Sequence, residues 1–190
     1  MKMVNKGKLL PSKAVALPRN KIVDIIQHLE EPYNIIFAIQ YLTASRIGEV
    51  LMLKKNDFEY KKVDNSTLLL ITLRVLKRRN NLIYKAVPVN LNDELTGMII
   101  NYVEKQLPDV LLFKGITKNL AWFKLTRKYP QIRTHTFRRS RITELFKEHN
   151  WSETEITRFV GWASPASTAT YIHLKWRDSA QKVLDLEKTT

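Results

Sequence analysis

Residues 135–173 read HTFRRSRITELFKEHNWSETEITRFVGWASPASTATYIH. His135 and Arg138 stand three apart, a spacing that places both on one face of a helix. The helix predicted over 135–149 has an exposed face that also carries Arg139 and Arg141. Ser152 with Glu155 forms a capping box for a second helix ending at Val160. Gly161 and Trp162 follow at the helix end, and Ser164 with Pro165 makes a cap and first-turn pair for a helix holding Tyr171. These elements can bring a cation, a proton-transfer group, an indole donor and a phenol to one phosphate.

The rest of the chain extends that pattern. Helical spacing of apolar residues covers 19–31, and Pro32 opens a second helix, PYNIIFAIQYLTA, apolar on most sides and so predicted to be buried. A short helix follows over 46–53. Lys54 to Asn65 is charged and loop-like. TLLLITLRVLK at 67–77 and LIYKAVPV at 82–89 are rich in β-branched and aromatic residues around an R-R-N-N turn, the pattern of an antiparallel hairpin with a basic tip and a third strand before it. Asn92 is the expected cap of the next helix, and Thr117 to Lys128 forms another before Pro130. A last helix runs from about Trp176 to Leu186. The fold class is mainly α with one small antiparallel β-sheet, an α+β arrangement, preceded by a linker or arm over residues 1–18.

Composition narrows the function. The 190 residues carry 32 Lys+Arg against 18 Asp+Glu, a formal net charge of +14. A folded domain this basic is expected to meet a polyanion, nucleic acid before an anionic membrane surface. There are no cysteines, which excludes disulfides, thiolate zinc sites and cysteine nucleophiles and fits a cytoplasmic protein acting on DNA. No apolar run reaches the ~18 residues of a membrane span. Glycine is sparse and no phosphate-binding glycine loop occurs. No carboxylate cluster suited to Mg²⁺ stands out, so neither a metal nor another cofactor is expected.

Two readings stand for Arg46, which lies between apolar runs in TASRIGEVL at 43–51. It is either a structural partner of Glu49, three residues on, or an arginine held rigid by that glutamate to grip a phosphate bidentately. Lys77, with Arg78 and Arg79 at the hairpin tip, reads first as solvated charge, although a lysine there can also pass a proton to a leaving oxygen. Tyr171 is a poor nucleophile at its free pKa of about 10 and needs cations or a base beside it.

Together these residues resemble the tyrosine recombinases. TASRIGEVL resembles their first arginine box, HTFRR the H-x-x-R of the second, and GWASPASTATYIH the end of that box with its tyrosine. The resemblance covers residues 19–187 and implies a catalytic domain, with the family's N-terminal core-binding domain apparently absent from this chain. It implies that Arg46 and Arg138 grip the phosphate, Glu49 supports the first of them, His135 manages a proton, Trp162 donates a hydrogen bond and Tyr171 attacks. Lys77 takes the place of the hairpin lysine, with Arg78, Arg79 and Lys85 as alternatives. Arg78, Arg79, Arg139 and Arg141 are then expected to bind DNA. The implied activity is cutting and rejoining double-stranded DNA through a 3′-phosphotyrosyl link, without a cofactor, by copies assembling as a tetramer through the C-terminal tail. A type IB topoisomerase and an inactive DNA-binding domain are the competing readings.

Overall fold

A computed structural model describes residues 15–76, 83–161, 180 and 183–184. Its centre is the helix α2 (Tyr33–Leu42), preceded by α1 (Arg19–Gln27). Every side chain of α2 from Ile35 to Leu42 is buried, as expected of a helix apolar on most sides. α1 presents Ile22, Val23, Ile25 and Ile26 to it. The remaining helices are α3 (Ile47–Val50), α4 (Glu94–Glu104), α5 (Lys118–Lys128), α6 (Thr134–Lys147) and α7 (Glu153–Val160). All but α7 pack directly on α2, and α7 packs on α6. Phe37 of α2 stacks on Phe137 of α6 with ring centroids 4.6 Å apart.

The sheet has three antiparallel strands in the order β1 (Phe58–Val63), β2 (Ser66–Val75), β3 (Ile83–Asn90). The expected third strand is therefore present, inside the charged stretch read as a loop, behind a short 3-10 turn at Lys55–Asp57. Its side chains are half-buried or exposed, which hides the apolar alternation that marks a strand in sequence. On β2 and β3 alternation shows over 71–75 and 83–87, where Ile71 pairs with Val87 and Leu73 with Lys85 on the face that meets the helices, while 68–71 and 87–90 are buried throughout. Lys85 thus occupies a core position of its strand.

Helix ends follow local chemistry. Thr117, read as the first residue of the helix, caps α5, and Ser152 with Glu155 caps α7 as expected. For α4 the cap is Asp93, which accepts from the Leu95 N–H at 3.0 Å, one residue after the expected Asn92. The carboxylate complements the helix dipole and also holds Arg19 at 2.9 Å. α2 ends at Thr43, and Ala44 turns the chain with a φ of 46° while the Ser45 N–H reaches back to the Gln40 carbonyl.

α6 overturns the expectation of a single exposed basic face. His135 and Arg139 are exposed, whereas Arg138 and Arg141 are buried. Arg141 donates to Glu144 at 2.9 Å, and the same carboxylate oxygen accepts from Tyr41 of α2 at 2.6 Å. Arg141 therefore joins α6 to α2 and is not available to a DNA phosphate. Among the described residues no helix is long and apolar enough to cross a membrane.

Candidate active site

The turn out of α2 delivers Arg46 as the cap of α3, with Glu49 in the third position of that helix. One Glu49 oxygen accepts from the Arg46 backbone N–H at 2.8 Å, and the other accepts from the Arg46 guanidinium at 2.9 Å. Glu49 is almost fully buried, while the Arg46 side chain keeps 21% of its surface. The two sequence readings of this pair thus describe one arrangement: the glutamate holds an arginine whose fork still reaches solvent.

Arg138 approaches from α6, with Nη1 3.9 Å from the Glu49 oxygen that caps Arg46. Two guanidiniums from distant segments therefore share one buried carboxylate. Burial, then repulsion from Arg46, draws the Arg138 pKa down to about 10 against the opposing pull of Glu49. An anion placed between the arginines would relieve that repulsion.

Lys85 lies behind them. Its Nζ lies 3.0 Å from the Thr43 carbonyl and 3.4 Å from the Val160 carbonyl, in a site with almost no exposure. Burial lowers its pKa to about 7, with Glu49 opposing and Arg138 and Arg46 adding to the drop. The sequence signal for its burial was parity alone, since Lys85 stands in register with Val87 and Val89. Lys118 also nears this region. A Cβ at Gly48 would lie 2.4 Å from its Cε, so glycine leaves room for that stem over α3.

His135 lies in the first turn of α6, one turn before Arg138, and is exposed. Arg139 is exposed on the same helix. Lys77, Arg78, Arg79, Trp162, Tyr171 and the tail that follows lie outside the described residues. Away from this site, ligand atoms of Glu144, Glu148 and His149 come within 4.8 Å of one another. Two of the neighbours of Glu144 are Arg141 at 2.9 Å and Arg19 at 3.8 Å, so its charge is already answered by guanidinium groups.

A helical layer around one buried helix with a three-stranded antiparallel sheet is the fold of the tyrosine recombinase catalytic domain. The profile of the Phage integrase family matches residues 16–177, and the chain belongs to that family. No curated protein matches it significantly. Among solved structures, the XerH site-specific recombinase bound to difH substrate in a pre-cleavage complex is 18% identical, with a TM-score of 0.56 over 92% of this chain and 51% of that one. Its post-cleavage complex on palindromic difH is 18% identical, with a TM-score of 0.58 over 93% and 53%. The FLP recombinase in a Holliday junction complex is 10% identical, with a TM-score of 0.57 over 80% and 44%. The chain spans about half the length of the recombinases it matches.

Proposed function

We propose that this chain is the catalytic domain of a site-specific DNA recombinase that breaks and rejoins strands through a 3′-phosphotyrosyl link. The observation that carries this reading is the meeting of Arg46 and Arg138 on Glu49. The two guanidiniums come from segments far apart in the chain and converge on one carboxylate, an arrangement that could grip a phosphodiester. The XerH and FLP structures named above hold a difH substrate and a Holliday junction, which supports double-stranded DNA as the partner here.

In this reading Tyr171 Oη attacks the phosphorus, and the bond to the 5′ oxygen breaks. A 5′-hydroxyl leaves, and a 5′-hydroxyl from the partner strand later reverses the step. Arg46, Arg138 and the Trp162 indole N–H face the non-bridging oxygens where charge accumulates. His135 manages the tyrosine proton, and Lys77 protonates the leaving oxygen. The phosphotyrosyl link conserves the bond energy, so the reaction needs neither nucleotide nor metal. Arg78, Arg79 and Arg139 hold the duplex backbone.

Replacement of Tyr171 by Phe tests the nucleophile. On a nicked suicide duplex the parent protein accumulates a covalent protein–DNA adduct, and Tyr171→Phe accumulates none while binding the duplex with similar affinity. Adducts persisting in that variant would sink the assignment.

A further inference from the structure

We propose that Lys85 is the positioning residue of this site, a buried clamp that ties the segment leading into Arg46 to the end of α7, from which the chain runs on to Trp162 and Tyr171. Thr43 is the C-terminal cap of α2, and Val160 is the last residue of α7 before its Gly161 cap. The carbonyls at helix C-termini lack partners within the helix and carry the negative end of its dipole. Both carbonyls converge on the Lys85 Nζ, at 3.0 and 3.4 Å. One amine therefore serves as the shared donor of two helix ends that are far apart in the chain.

The packing around Lys85 is built to its side chain. Its backbone sits opposite Leu73 on the core face of the sheet, where an apolar residue would bury at no electrostatic cost. Its stem lies against Gly161, where a Cβ would stand 3.2 Å from the Lys85 Cδ and 3.5 Å from Val75. Gly161 also has a φ of 71°, so both the left-handed turn and the lysine stem favour glycine there. The charges facing Lys85 are Glu49, Arg138 and Arg46, the same groups that form the candidate phosphate grip. Either protonation state has enough N–H donors for both carbonyls. A change of length or loss of the amine would release α7 from the Arg46 segment. Misplacement of about 1 Å is enough to slow a positioned reaction on the order of 100-fold.

The inference rests on the recombinase reading only for its kinetic readout, so the test has two arms on the intact chain. Lys85→Met fills the same volume without a donor. The chain has no cysteine, so Lys85→Cys can be aminoethylated at one place, in denaturant before refolding, to rebuild a lysine-like amine. In the first arm, amide hydrogen exchange is expected to rise at least about 10-fold in Lys85→Met over 43–50 and 153–161 while the rest of the core keeps its protection. In the second, covalent adduct forms on the order of 100-fold more slowly with duplex affinity unchanged, on substrates with either a 5′-bridging oxygen or a 5′-bridging sulfur. Aminoethylation of Lys85→Cys restores the rate.

Rescue by bridging sulfur would make Lys85 the proton donor to the leaving oxygen and overturn the clamp. Equal loss of exchange protection throughout the core, or unchanged protection in both segments, would overturn it as well. If the parent protein itself forms no adduct, the recombinase reading fails, and the exchange arm still decides the clamp.

Discussion

Glu49 carries more of the site than its size suggests. It caps α3, fixes the Arg46 side chain and faces Arg138. Without it, two guanidiniums, one of them buried, lose the carboxylate they share. Removing one partner of a buried ion pair costs about 3–5 kcal/mol, and the partial exposure of Arg46 places Glu49→Ala at the lower end, roughly 3 kcal/mol by urea unfolding. Glu49→Gln keeps an acceptor for the backbone N–H and is expected to lose less stability. Equal losses in the two variants would mean that the charge, not the cap, is what matters. An exposed arginine in an unconstrained rotamer would pay side-chain entropy each time it met a phosphate; the buried carboxylate has already ordered Arg46.

At the scale of elements, the joint between α1, α2 and α6 holds a second charge network that is separate from the proposed chemistry. Burial alone would raise the Glu144 carboxyl, but Arg141, the Tyr41 hydroxyl and Arg19 together hold it below its ordinary 4.5. A carboxylate lowered on folding contributes stability that is present above the unfolded value and is lost as pH falls through the folded one. His149, lowered from 6.5 mainly by burial, protonates more readily in the unfolded chain, so it too erodes stability as pH falls below 6.5. Unfolding free energy is therefore expected to decline in two stages, below about 6.5 and again below about 4.5. Glu144→Gln should flatten the lower stage and reduce stability at neutral pH. A neutral-pH stability equal to that of the parent protein would show that this network contributes nothing to the joint.

At the scale of the molecule, the net charge of +14 sets how the domain would meet DNA. Phosphate contacts by Arg78, Arg79 and Arg139 would release counterions, and affinity would fall steeply with salt. Assembly is a separate property, placed by the reading above in the tail after Tyr171. Truncation at Arg177 is expected to abolish tetramers on DNA in sedimentation analysis while the salt slope of single-copy binding stays unchanged. Tetramers that survive the truncation would move the assembly contact elsewhere.

Much of this was legible in the sequence because it depends on near neighbours. Ser152 and Glu155 cap α7 through atoms three residues apart, Gly161 ends that helix in the left-handed region, and Arg46 meets Glu49 within one turn. Such contacts are set by helix periodicity and need no knowledge of the remaining chain. The partition of α6 was different. Arg138 and Arg141 are both basic and lie on the same helix as His135 and Arg139, yet packing decides which are buried: Arg138 meets Glu49 of α3, while Arg141 and its own helix's Glu144 lie under Tyr41 of α2. Lys85 shows the same limit more sharply. Strand alternation places it on the core face, but its two acceptors belong to α2 and α7, and the distant Arg46, Glu49 and Arg138 set its charge environment. Spacing along the chain determines which groups share an element and a face. Desolvation and Coulomb interactions depend on what packs against that face from elsewhere, and only the tertiary structure brings those partners together.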